Sequence, residues 1–312
     1  MEISNILKGR DFISLHDFSA AEIQLMLDVG LQLKQDLKFG IAPPILPGKT
    51  LGMIFQKSST RTRVAFEVGM YQLGGHALFL SPRDIQLGRG ESIKDTAQVL
   101  ARMLDGIMIR TFDHEEVLEL AKWSEVPVIN GLTDLLHPTQ VVGDMMTIME
   151  HKRCLEGIKL AFVGDGNNVA NSLLFGGAKM GMHVSIASPQ EFKVNPYIYE
   201  LALEDAKASG AQLKLLTDPY EAVAEADVIY TDVWASMGQE DDAAEKEKKF
   251  TAYQVNAQLL QAAKPDAIVL HCLPAKRGKE ITDEVMDGPQ SAVFDEAENR
   301  LHAHKAIMAL TM

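Results

Sequence analysis

The stretch Leu51-Gly52-Met53-Ile54-Phe55-Gln56-Lys57-Ser58-Ser59-Thr60-Arg61-Thr62-Arg63 decides how the rest of the chain reads. Its first five residues carry no polar side chain, as in a short buried strand. Val64, Ala65, Phe66, Val68 and Met70 follow with helical spacing. Between strand and helix lies a polar turn. Such a unit leaves backbone N–H groups and the positive end of a helix dipole facing one point, a geometry that binds anions. Ser59, Thr60 and Thr62 add hydroxyls, and Arg61 can fork two bonds to a phosphate. A Ser-capped helix with solvated arginines is the plainer reading. Three hydroxyls with Lys57, Arg61 and Arg63 in so short a span favour a phosphate site.

Outward from this unit, short apolar runs alternate with helix-period segments. Strands are expected at 50–56, 76–81, 106–111 and 127–131, then at 159–164, 183–187, 212–216, 227–233 and 267–271. Helices are expected at 20–37, 60–73, 92–104, 114–123, 137–151, 168–180, 196–209 and 251–263. This alternation predicts parallel sheets with helices on both faces, an α/β architecture of Rossmann-like type. At roughly 100–200 residues per domain, 312 residues make two domains, with a cleft expected between them. The boundary is placed near 150, where 137–151 ends and Lys159 opens a new strand. The polar segment 239–249 lacks apolar periodicity and reads as a mobile insertion. The segment 298–310 has a helical pattern and can pack on either domain.

The net charge is −13, which repels nucleic acid and anionic membranes and excludes both as partners. No apolar run approaches the ~18 residues of a membrane span. Residues 1–5 lack the basic and apolar regions of a secretory signal. Cys154 and Cys272 are too few for a disulfide framework, so a reducing, cytoplasmic setting is expected. An acidic protein that binds phosphate must gather cations locally, which makes each arginine at a strand end informative.

In an open α/β sheet, ligands bind beyond the carboxyl ends of the strands. Ser59–Thr62, Arg110 and His137-Pro138-Thr139-Gln140 all fall at that edge, with Pro138 suited to the first helical position. The polar loop 81–91 holds Arg83, Gln86 and Arg89, and covers a substrate or is simply solvated.

In the second half, Val163-Gly164-Asp165-Gly166-Asn167-Asn168-Val169 has the outline of a dinucleotide turn. Val169 stands where the third glycine belongs, and the next strand ends in Ser188-Pro189 without the acidic residue that a nicotinamide cofactor needs. We therefore expect the architecture without the cofactor. Asn167, Asn168, Asp232 and Cys272 occupy strand ends on this side. His271 and Cys272 are neighbours on a strand, so they are expected to face opposite ways and not to act as a Cys–His pair.

Together these motifs resemble the aspartate/ornithine carbamoyltransferase family, and within it the branch that uses ornithine. The resemblance covers the whole chain in order: Ser59–Thr62, Gln86, Arg110, His137–Gln140, Asp165–Asn168, Asp232 with Ser236-Met237-Gly238, His271-Cys272-Leu273-Pro274, and Glu298-Asn299-Arg300. It implies a first domain, 1–150, that binds carbamoyl phosphate and is rejoined by 298–312, and a second, 151–297, that binds ornithine. Ser59, Thr60, Arg61, Thr62 and Arg110 would hold the phosphate. Gln86 would reach it from a neighbouring subunit, implying a homotrimer. His137 and Gln140, with Arg110 and Thr62, would hold the carbamoyl group, and Cys272, Leu273 and Arg300 would line the reaction centre. Asn168, Asp232, Ser236 and Met237 would bind ornithine. Arg61, Arg110, His137, Asp232, Cys272 and Arg300 form the implied catalytic set, with no metal and no cofactor. Lys276 stands where many relatives carry histidine.

Overall fold

The structure, a computed structural model, describes residues 4–87, 90–235 and 243–312. The chain divides into two compact units. Unit 1 is Met1–Met146 with Asn299–Met312, and unit 2 is Thr147–Glu298.

Unit 1 runs α1 (Ala20–Lys38), β1 (Thr50–Phe55), α2 (Thr60–Gln72), β2 (His76–Leu80), α3 (Ile93–Leu100), β3 (Gly106–Arg110), α4 (His114–Trp123), β4 (Val128–Leu132) and the start of α5 (Pro138–Lys152). Among the described residues its sheet has the order β2-β1-β3-β4, all parallel. Every residue of β3 and β4 is buried. Because side chains alternate between faces, both faces of the sheet are covered at these two strands. Ile54, Ile107, Ile109, Val117, Leu120 and Val128 form one core cluster. Side chains cap the helices that follow the strands: Ser59 accepts from Thr62 N–H, Ser92 from Asp95 N–H and Asp113 from Glu115 N–H.

Unit 2 completes α5 and continues with β5 (Lys159–Val163), α6 (Asn168–Met180), β6 (His183–Ala187), α7 (Pro196–Ser209), β7 (Leu213–Leu216), α8 (Pro219–Val223), β8 (Val228–Thr231), α9 (Ala243–Phe250), α10 (Ala257–Leu260), β9 (Ile268–His271) and α11 (Asp283–Met286). Its sheet, among the described residues, is β7-β6-β5-β8-β9, again parallel throughout. The last helix, α12 (Val293–Thr311), begins in unit 2 and enters unit 1 at Asn299. No helix among the described residues is long and apolar enough to cross a membrane.

Two local expectations are corrected. The segment read as a mobile insertion is helical from Ala243 to Phe250; residues 239–242 lie outside the described residues. Its sequence is strongly polar on average, which masks its narrow apolar side. Tertiary contacts hold it: Lys246 pairs with Asp165, Lys249 with Glu191, and Phe250 is fully buried in the core of unit 2. The single helix expected at 251–263 is a 3-10 turn, Thr251–Tyr253, followed by α10. The break comes where Val255 N–H donates to Glu280 O, and Asn256 then caps a new helix by accepting from Leu259 N–H.

Candidate active site

In unit 1, β1 connects outward to β2 on one side, while β3 and β4 lie on the other. The sheet therefore reverses its order between β1 and β3, the place where open α/β sheets leave a crevice. Phe55 pairs with Arg110 across that point. The Arg110 carbonyl accepts from both Gln56 N–H and Lys57 N–H, at 2.9 and 3.3 Å, so it pins the turn that leads to Ser59. Ser59 is half-buried, Thr60 exposed, Arg61 half-buried and Thr62 fully buried.

The segment Asn299–Met312 supplies the next group. Arg300 is 3% exposed, and its Nη2 donates to Thr62 Oγ1 at 2.7 Å. One helical turn on, the ring of His304 stacks on Phe66, with centroids 4.1 Å apart. Gly143 lets α5 approach closely here: a Cβ at that position would lie 3.3 Å from Arg300 N. His137 is buried immediately before α5, with Thr139 Oγ1 3.4 Å from its Nδ1. Gln140, in the first turn of α5, donates to Asp144 Oδ1 at 2.7 Å.

Burial, and then the charges of Arg300, Arg110, His304 and Lys57, hold His137 well below its ordinary pKa, so its imidazole is neutral at physiological pH. A neutral imidazole offers one donor and one acceptor. Unit 1 thus gathers Ser59, Thr60, Arg61, Thr62, Arg110, His137, Gln140 and Arg300 around β1, β3 and the segment from Asn299. Gln86 is exposed on the segment between β2 and α3.

Two of the cations first read as part of the phosphate turn are engaged elsewhere. Lys57 pairs with Asp134 and lies over the Phe112 ring. Arg63 pairs with Glu67 and lies over the Phe79 ring at 3.7 Å. Spacing in sequence counted these charges together; the first helical turn of α2 separates them.

Unit 2 repeats the logic. Its sheet order reverses between β5 and β8. After β5 comes the turn Gly164-Asp165-Gly166-Asn167. Asn167 caps α6 through its Oδ1, which accepts from Val169 and Ala170 N–H, and its Nδ2 donates to Asp232 Oδ2 at 2.8 Å. Asp232 follows β8. Its Oδ1 accepts from Val233 N–H at 2.8 Å and from the Cys272 thiol at 3.1 Å. Asn168 and Asp232 are both buried, while Cys272 and Leu273 are half-buried. Ser236 and Met237 lie outside the described residues.

Gly166 is explained by packing. A Cβ there would stand 2.2 Å from Val194 N, and Gly166 N–H donates to Phe192 O at 2.8 Å. The chain's own backbone fills the space that the second glycine of a dinucleotide turn keeps open for a pyrophosphate.

The expectation that His271 and Cys272 face apart needs correcting, because β9 ends at His271. Ring nitrogen, Cys272 Sγ and an Asp232 oxygen lie within 4.8 Å of one another. That donor set has the residue types of a zinc site. Both His271 nitrogens are committed, however. Nδ1 accepts from Leu273 N–H at 2.9 Å, and Nε2 therefore carries the proton and faces Glu280 Oε1 at 3.1 Å. His271 and Glu280 are both fully buried. This bond pattern holds Leu273 at φ +57°, a left-handed backbone that a branched residue adopts only under constraint. The sequence missed this role for His271 and Glu280, since Glu280 carries no motif. A buried Glu following a strand-end histidine is the signal that could have found it.

Comparison with known proteins gives one answer throughout. Residues 10–150 match the family described as "Aspartate/ornithine carbamoyltransferase, carbamoyl-P binding domain". Residues 156–311 match the one described as "Aspartate/ornithine carbamoyltransferase, Asp/Orn binding domain". The ornithine carbamoyltransferase of Symbiobacterium thermophilum is 60% identical over 98% of this chain and 99% of its own length. Among solved structures, the ornithine carbamoyltransferase of Pyrococcus furiosus superposes with a TM-score of 0.96 at 53% identity, covering 98% of each chain. The anabolic enzyme of Campylobacter jejuni does so with 0.91 at 45%, covering 96% of this chain and 97% of its own.

Proposed function

The chain belongs to the aspartate/ornithine carbamoyltransferase family, and from that premise we propose how its residues carry the family's reaction. It transfers the carbamoyl group of carbamoyl phosphate to the δ-amino group of L-ornithine, giving L-citrulline and phosphate.

Unit 1 takes the donor. Ser59, Thr60, Arg61, Thr62 and Arg110 bind the phosphate, the cations by forked, charge-assisted bonds. His137 and Gln140 hold the carbamoyl group, together with Arg110 and Thr62. As the amine attacks, negative charge grows on the carbonyl oxygen. Arg61, Arg300 and the neutral His137 are its donors, and one such donor is typically worth ~3–4 kcal/mol. The C–N bond forms, the C–O bond to phosphate breaks, and the leaving phosphate takes up a proton. No separate base is required for that proton.

Unit 2 takes the acceptor, through Asn168, Asp232, Ser236 and Met237. The observation that carries the choice of ornithine is the chain of bonds Asn167–Asp232–Cys272. A buried carboxylate that accepts from an amide and a thiol suits a cationic amine and repels the second carboxylate of aspartate. Asp232 and Cys272 orient the amine, and the Asp232 carboxylate is placed to take up the ammonium proton before attack; Leu273 lines the same edge.

The finer reading is a cytoplasmic homotrimer acting in arginine metabolism, with Gln86 reaching the phosphate of a neighbouring subunit. Exposed apolar side chains support self-association: Leu78 and Phe79 on edge strand β2, and Val64 and Tyr71 on α2. Two free cysteines support a reducing setting. The test is citrulline formation by the purified protein from carbamoyl phosphate with ornithine, run beside aspartate and putrescine. Light scattering reports the trimer. Product with ornithine alone is expected, and carbamoylation of aspartate at a comparable rate would overturn the assignment.

A further inference from the structure

We infer that Lys246 is a positioning residue for the acceptor: by neutralising Asp165 it leaves Asp232 as the carboxylate that meets the substrate's amine. This rests on the assignment of Asp232 to the acceptor given above.

Lys246 Nζ sits 2.7 Å from Asp165 Oδ2, and the two side chains are 10% and 11% exposed. The same ammonium lies 5.1 Å from the centre of the Phe192 ring. Phe192 in turn holds the turn through the bond from Gly166 N–H. Asp165 is therefore seated between α9 and the segment around 192–194, two residues before Asn167. Asn167 spends its oxygen on the cap of α6 and its amide on Asp232. Asp232 receives its bonds from neutral groups: the Asn167 amide, the Val233 N–H and the Cys272 thiol.

Two carboxylates thus flank one short turn, and the charge of Asp232 raises the cost of ionising Asp165. Burial pushes the Asp165 carboxyl up, and Lys246 pulls it back. With Lys246 in place the turn carries one net negative charge, which matches one ammonium. Without it the buried Asp165 carboxylate has lost its counter-charge, which is costly. It then competes for the Asn167 amide or for the incoming amine, and either move draws the acceptor away from Asp232.

The test uses the full-length enzyme and steady-state kinetics in both substrates, with carbamoyl phosphate and ornithine as the probes. Lys246→Met is expected to raise the KM for ornithine about tenfold or more, with the KM for carbamoyl phosphate within about twofold of wild type. Lys246→Arg, which keeps the charge, restores ornithine binding. The double variant Asp165→Asn/Lys246→Met removes both charges and recovers most of the affinity lost in Lys246→Met, a coupling that only interacting residues show. An ornithine KM unchanged in Lys246→Met, an equal rise in both KM values, or a double variant as weak as Lys246→Met overturns the inference. If Lys246→Met fails to fold, the double variant decides alone: ornithine KM near wild type supports the inference, and a tenfold rise sinks it. Absence of citrulline from the wild type refutes the function itself, which separates the two failures.

Discussion

Arg300 Nη2 donates to Thr62 Oγ1 at 2.7 Å across 238 residues of sequence, and both side chains are buried. This bond ties the segment from Asn299 to the polar turn that opens α2. The parallel pair one turn further on, His304 over Phe66, repeats the contact between the same two helices. Lys305 Nζ continues it with a bond to Gln72 Oε1 at 3.0 Å. Arg300 therefore has its reach fixed by packing at several points along α2.

Replacing Thr62 with valine keeps the shape and removes the acceptor for Arg300. A buried hydrogen bond to a charged group is worth about 1.5–3 kcal/mol, so the variant is expected to lose about that much stability and to show a weakened kcat/KM for carbamoyl phosphate. Chemical denaturation and steady-state kinetics measure the two. Thr62→Ser, which keeps the hydroxyl, should behave like wild type; a serine variant as damaged as the valine one would show that the methyl group, not the bond, matters.

His304 is fully buried, and neither ring nitrogen has a hydrogen-bond partner among the described residues. Burial and then Arg300 hold its pKa well below the ordinary 6.5. The folded protein therefore binds fewer protons than the unfolded chain once the pH falls below 6.5, and stability drops with pH from there until the folded pKa is reached. Each such histidine contributes a slope of ~1.4 kcal/mol per pH unit in that window. His304→Leu removes one. Its stability relative to wild type should improve by about 1.4 kcal/mol between pH 7.5 and 5.5. Urea unfolding at both pH values checks this, and an unchanged difference would mean that His304 does not titrate as its surroundings require.

Asp232→Asn keeps a hydrogen-bonding side chain and removes the charge. The expected result is an ornithine KM higher by about 10- to 100-fold, the range for losing a charge-assisted bond, with the KM for carbamoyl phosphate little changed. A rise confined to the donor KM would contradict the division of substrates between the units.

Gly166→Ala places a Cβ against the backbone of Val194. Overpacking of this kind costs about 1–3 kcal/mol. Because the turn carries Asn167, the same variant should weaken ornithine more than carbamoyl phosphate. Thermal melting and kinetics in both substrates measure the effect; a melting temperature equal to wild type would show that the segment around 192–194 yields freely.

The parallel sheets were legible because strands buried on both faces read as short apolar runs between helical periods, as Leu51–Phe55 and Leu160–Val163 do. The candidate site was legible for the reason given by the sheet order: its residues stand just after strands, at Ser59, Arg110, Asp232 and Cys272. Three features were not. Helix α9 carries a polar sequence whose order comes from Lys246 reaching Asp165, a partner 81 residues away. Lys57 and Arg63 were counted with the phosphate turn because composition records charge without direction. Glu280 was invisible because only the fold brings it to His271.

Unit 1 is discontinuous, and this sets an order of events during synthesis. Residues 1–146 emerge first, yet their unit is completed by 299–312, made only after the whole of 147–298. Domains generally fold as units while the chain is made. Here the first unit must wait with Gly69, Phe66 and Thr62 of α2 unsatisfied, while the second can already close on itself. Any product released before Arg300 would carry a phosphate turn without its last cation and an exposed apolar groove along α2.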